Sequence, residues 1–127
     1  MKRIAALLFI LLFVSSPLIL ISNSEAAEFS QAYLRLDRMK ASTALSGTVC
    51  AKPSSAGAGT EAKVLVTFPS DFSLSTNTAN WTTGTSNLPD GATAWPGIGG
   101  VATTVSGQIV TFASSDLTSS VLYCFNF

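Results

Sequence analysis

The chain has 127 residues, with 7 Lys and Arg against 7 Asp and Glu, no His, two Cys and a mean hydropathy of +0.44. That length makes one domain with at most an appendage, and 47% hydrophobic against 11% charged residues excludes a chain disordered throughout. Zero net charge without a basic cluster excludes an ordinary nucleic-acid binder, and the lack of His removes the commonest general base and metal ligand.

The first element is a leader. Met1-Lys2-Arg3 is basic, Ile4 to Ile21 carries no charge over 18 residues, and Ser22 to Ala27 are small and polar apart from Glu25. This is the order of a secretory signal peptide. Ser24 and Ala26 suit a cut after Ala26; a cut after Ala27 would place Glu25 three residues before it. Retention of residues 4–21 as a membrane anchor is the alternative, at the lower edge of spanning length and broken by Pro17. Both readings export residues 27–127 as one β domain and place it outside the cell, secreted or on the surface.

Strand signals then recur at short spacing. Ala32 to Met39 alternates Leu34 and Leu36 with Arg35 and Asp37, and a short amphipathic helix competes for the same residues. Gly47 to Lys52 is stopped by Pro53, and residues 54–60 form a flexible connection. Glu61 to Phe68 is the clearest strand, with Val64, Val66 and Phe68 on one face and Lys63, Leu65 and Thr67 on the other. Pro69-Ser70-Asp71 turns it, Phe72 to Ser75 is a short alternating piece, and Asn80 to Gly84 reads as a further strand. Asn87 to Gly100 is rich in turn formers. Val101 to Val105 and Gln108 to Phe112 flank Ser106-Gly107 as a tight hairpin. Ser114 to Leu117 is a corner, and Val121 to Phe127 is an apolar strand. Because Phe127 ends that strand without a polar tail, the reading expects a domain truncated at its C-terminus.

About seven short strands predict an all-β fold, an antiparallel β-sandwich of immunoglobulin-like type, with a small closed barrel as the alternative. Cys50 and Cys124 both lie in exported strand-like runs and are expected to form one disulfide. Closing about 75 residues is worth on the order of 4.5 kcal/mol in the chain-entropy model, as an upper value. A redox or nucleophilic role would need a neighbouring Cys, a His or a cationic pocket, none of which the sequence offers. An inter-sheet bridge beside Trp81 or Trp95 would suit the sandwich.

Chemistry is sparse. No phosphate loop, nucleophile elbow or paired-Cys metal site occurs, so no catalytic residue, metal or cofactor is expected. Asp71 and Asp90-Gly91 lack the spacing of a calcium loop, and the scattered acids read first as turn and surface residues rather than a glycosidase pair. Trp95 and Trp81 are the candidate ligand-binding residues, since an exposed indole stacks on a sugar or anchors a protein. The competing reading puts both in the core. Asn80-Trp81-Thr82 matches a glycosylation sequon.

The runs LRLDRMKAST (34–43), GTVCAKP (47–53), EAKVLVTFPSDF (61–72), LPDGATAWPGIG (88–99) and YCFNF (123–127) resemble exported immunoglobulin-like β-domain surface proteins of candidate-phyla-radiation bacteria. The resemblance covers nearly all of residues 27–127. It implies a surface or secreted protein of β architecture and no reaction. Relatives continue beyond the YCFNF-like strand, which implies truncation here.

These observations lead to a non-enzymatic, exported module for adhesion or envelope structure, whose partner is a protein or glycan at the cell surface and not a nucleic acid. The alternatives are a carbohydrate-binding module using Trp95 or Trp81, and a pilin-like filament subunit. The pilin reading lacks the acidic residue such a leader needs, although a donated strand would still build a filament.

Overall fold

The computed structural model describes residues 28–40, 42–55 and 61–127. The leader, its cleavage residues Ala26 and Ala27, and the run 4–21 lie outside the described residues. No helix among those described is long and apolar enough to cross a membrane.

The fold is all-β. Nine strands are present among the described residues, where the spacing predicts about seven: β1 (Phe29–Leu36), β2 (Gly47–Pro53), β3 (Lys63–Thr67), β4 (Thr82–Thr83), β5 (Thr93–Ala94), β6 (Gly100–Val101), β7 (Thr104–Ser106), β8 (Ile109–Ala113) and β9 (Tyr123–Asn126). The excess lies in the two-residue strands. Strand β1 settles the competition over residues 32–39 against a helix: Leu34 pairs with Val49 and Arg35 with Thr48 in an antiparallel ladder. Phe72 to Ser75 forms no strand; the backbone turns there, and Phe72 N–H donates to Pro69 O at 3.1 Å. Asn80 ends a 3-10 helix (Thr78–Asn80) rather than opening a strand, with Asn77 Oδ1 accepting from Ala79 N–H as its cap.

Three sheets result, in the orders β1-β2-β9-β5, β3-β8-β7 and β4-β6. They are open, so strand pairing among the described residues does not close them into a barrel. The first is mixed. Strand β5 runs parallel to β9, with Thr93 beside Tyr123 and Ala94 beside Cys124. This departs from the purely antiparallel expectation. A parallel neighbour needs a long crossover, and residues 95–122, which carry β6, β7 and β8, supply it. The β4-β6 ribbon is hooked to the first sheet by a bridge between Gly84 and Asn126.

Period-two alternation sends Val49, Ala51, Tyr123 and Phe125 from β2 and β9 to one face. Val110 and Phe112 from β8 meet them in the same core, and Val64 and Val66 pack against it from β3. Val110, Phe112 and Phe125 are almost wholly buried. At about 25 cal/mol per Å² of apolar surface, side chains of this kind dominate the stabilisation of so small a domain.

The β7–β8 hairpin turns one residue later than the sequence indicates. Gly107 and Gln108 are the loop residues, and Gly107 has φ +57. A two-residue loop with positive φ at its first position is the role that favours Gly.

Candidate functional site

Cys50 and Cys124 are joined in a disulfide. The bridge is not the inter-sheet link that would suit the sandwich. It ties β2 to β9 within one sheet, where the two residues stand directly opposite with Cα atoms 4.2 Å apart. Strand alternation explains this: Val49 and Ala51 face the shared core, so Cys50 between them faces the other way. Both cysteines are nonetheless buried.

Trp81 and Trp95 are core residues. Trp81 lies between the rings of Phe68 and Phe127, with centroids 5.6 and 5.7 Å away, and its Nε1–H donates to Ser75 O at 2.8 Å. Trp95 packs edge-on against Phe125 at 5.7 Å and near Tyr123 at 6.3 Å, and its Nε1–H donates to Ser114 Oγ at 2.8 Å. Only 9% and 3% of their surfaces are exposed. The burial follows from β5: Trp95 N–H donates to Cys124 O at 3.0 Å, which holds the residue against β9. The sequon Asn80 is exposed, and its Nδ2–H donates to Ser75 Oγ at 2.8 Å.

A concavity adjoins β1 and β3. It holds about 270 Å³ and is lined by apolar groups including Phe29, Leu34, Val49, Val64, Val66 and Trp95. Strand β1 is an edge of the first sheet and β3 an edge of the second, and the concavity is lined by residues of both. Phe29 and Leu34 therefore sit on the core-facing side yet remain 46% and 38% exposed. Sequence reading missed this surface, although Phe29 and Leu34 stand in plain view. The signal is tertiary: the alternation marks one face, and only the packing shows that the β1 end of that face stays exposed.

Most polar side chains at strand ends brace the framework. Asn126 donates from Nδ2 to Ser86 O at 2.7 Å and accepts from Thr48 Oγ1 at 2.7 Å. Gln108 donates to the carbonyls of Ser70 and Phe72. Glu61 accepts from Leu117 N–H at 3.0 Å. Asp37 accepts from Ser46 N–H at 2.9 Å and from Arg38 Nε–H at 3.1 Å. The Ser46 N–H, ahead of Arg38, holds the Asp37 carboxyl below its ordinary value. Among the described residues no three His, Cys, Asp or Glu side chains gather to hold a metal.

No family model matches the chain, and no curated protein or solved structure matches it.

Proposed function

We propose that the chain is an exported β-sandwich module of immunoglobulin-like type that works without catalysis, secreted or at the cell surface, in adhesion or envelope structure. The observation that carries this reading is the buried Cys50–Cys124 bridge. Such a pairing suits an oxidising compartment outside the cytosol, and burial dedicates both sulfurs to the framework. The basic start and the apolar run 4–21 supply the route of export.

Two further observations support the sandwich. The faces of β2 and β9 share one core with β8, and the Tyr123 hydroxyl accepts from Thr118 N–H at 3.1 Å. That contact resembles the tyrosine corner of immunoglobulin-like domains, one residue nearer to the cysteine. The bridge within one sheet departs from the antibody pattern. The similarity to exported surface proteins of candidate-phyla-radiation bacteria fits the same reading. The glycan alternative loses its support, because both indoles are committed to the core.

The test is labelling of intact cells with a membrane-impermeant amine reagent, paired with an adhesion and envelope-integrity assay of a deletion strain. Labelling of Lys40, Lys52 and Lys63, with a defect restored by the wild-type chain, is the expected result. A chain that stays unlabelled until lysis, or a turnover abolished by replacing one acidic residue, would overturn the reading.

A further inference from the structure

Of the sheet edges left open among the described residues, β1 is the longest, at eight residues; β3 has five, β7 three, and β4, β5 and β6 two each. Every β1 residue except Leu36 is exposed. A long exposed edge is a template for another strand. Its side chains decide which strand that is.

Against β2, Phe29 stands opposite Pro53 and Gln31 opposite Lys52, so Ser30 is an extra residue in a bulge. The bulge puts Phe29 on the same face as Ala32 and Leu34, and Glu28 on the same face as Arg35. Now lay a second β1 antiparallel along the free edge, with the two-fold axis at Ala32. Ala32 then meets Ala32 of the second copy, and Gln31 meets Tyr33. Beyond the extra Ser30, Phe29 meets Leu34 and Glu28 meets Arg35. Every pair falls on matching faces. Each end of the interface gains one Glu28–Arg35 ion pair and one Phe29–Leu34 apolar pair.

A register centred on Tyr33 also keeps the faces matched, but it sets Glu28 against Asp37 at both ends. Of the face-matching registers, the one centred on Ala32 pairs Glu28 with Arg35, and charge complementarity favours it. The self-complementarity also selects the partner, since an isologous two-fold contact needs one patch that fits itself.

We propose that β1 is the interface for a second copy of this chain, joining two four-stranded sheets edge to edge through a two-fold axis at Ala32. The exposed strip of Phe29 and Leu34 becomes continuous across that axis. The inference is independent of the proposed function; a failure of one leaves the other standing.

The test uses the full chain with its own leader, so that it holds for a cleaved or a retained leader. Ala32→Cys is expected to give a disulfide-linked dimer on a non-reducing gel of intact cells, whereas Ser30→Cys in the bulge is not. In the Ala32→Cys background, Arg35→Glu is expected to cut the linked fraction about tenfold, by placing like charges opposite. Adding Glu28→Arg is expected to restore it with the charges exchanged. Alkylation and intact mass check that the Cys50–Cys124 bridge has formed in each variant. Absence of the linked dimer in Ala32→Cys itself, with that bridge intact, would overturn the proposal. So would equal linkage through Ser30→Cys, or a charge reversal that the double exchange does not rescue.

Discussion

The rings of Phe112 and Phe125 meet edge to face with centroids 5.0 Å apart, and this contact joins the sheet of β8 to the sheet of β9. Each side chain is 1% exposed or less, so neither has water on any side. Phe125→Ala is expected to destabilise the domain by about 3–5 kcal/mol, through lost transfer energy and the cavity left between the sheets. Denaturant unfolding followed by tryptophan fluorescence measures it, because Trp95 lies 5.7 Å from the Phe125 ring.

The Cys50–Cys124 bridge closes a sequence separation of 74 residues. Replacing both cysteines by Ala is expected to cost about 2–4.5 kcal/mol, chiefly by freeing the unfolded chain. The urea midpoints of the double variant and the oxidised wild type compare the two directly. A single replacement confounds this by leaving a free thiol.

Gly97 has φ +79, and a Cβ added there would lie 2.5 Å from the Ser114 carbonyl carbon. The turn carrying Trp95 and Pro96 is held at this point by Ser115 N–H donating to Pro96 O at 3.0 Å. Gly97→Ala is therefore expected to cost on the order of 1–3 kcal/mol, from backbone strain and from displacement of main chain. Gly91, with φ +78 but open space around its Cβ position, is the control expected to lose less. Thermal unfolding of the two variants separates close approach from strain alone.

Ser114 Oγ accepts from the buried Trp95 indole. Ser114→Ala leaves that N–H without its acceptor and is expected to cost about 1–3 kcal/mol. Trp95→Phe in the same background removes the donor as well. A double-mutant cycle is expected to show coupling of the two sites.

Asp37 anchors the connection between β1 and β2 by accepting from Ser46 N–H. Its folded-state pKa is lowered, first by that N–H and then by Arg38. A lowered value means stabilisation that is present above the unfolded-state pKa and lost as pH falls through the folded-state value. Acidification below the ordinary carboxylate range is thus expected to release Ser46 N–H, with Asp37→Asn insensitive over the same range. Titration of the Ser46 amide resonance reads both.

The alternation in residues 61–68 was enough to place Val64 and Val66 inward and Leu65 outward, and Leu65 is 53% exposed. The extent of β1 was less legible. Leu36 and Met39 mimic a helical spacing, and the ladder to β2 decides the matter by pairing Leu36 with Gly47. Strand β5 was hidden altogether, because two residues carry no period. Its turn-rich surroundings signal reversals of the chain and not the strand that β5 pairs with. The exposure of Phe29 and Leu34 was hidden for a related reason: a strand's face is buried only where another element packs on it.

By itself the sequence determined the all-β class, the pairing of its two cysteines and the two faces of β3. These follow from local spacing and from there being two cysteines with one way to pair. Tertiary structure alone decided that the bridge lies within a sheet and that both indoles are enclosed. It also left β1 as the open edge. Those outcomes depend on which strands become neighbours and how far each sheet reaches, and chain-local periodicity carries neither quantity.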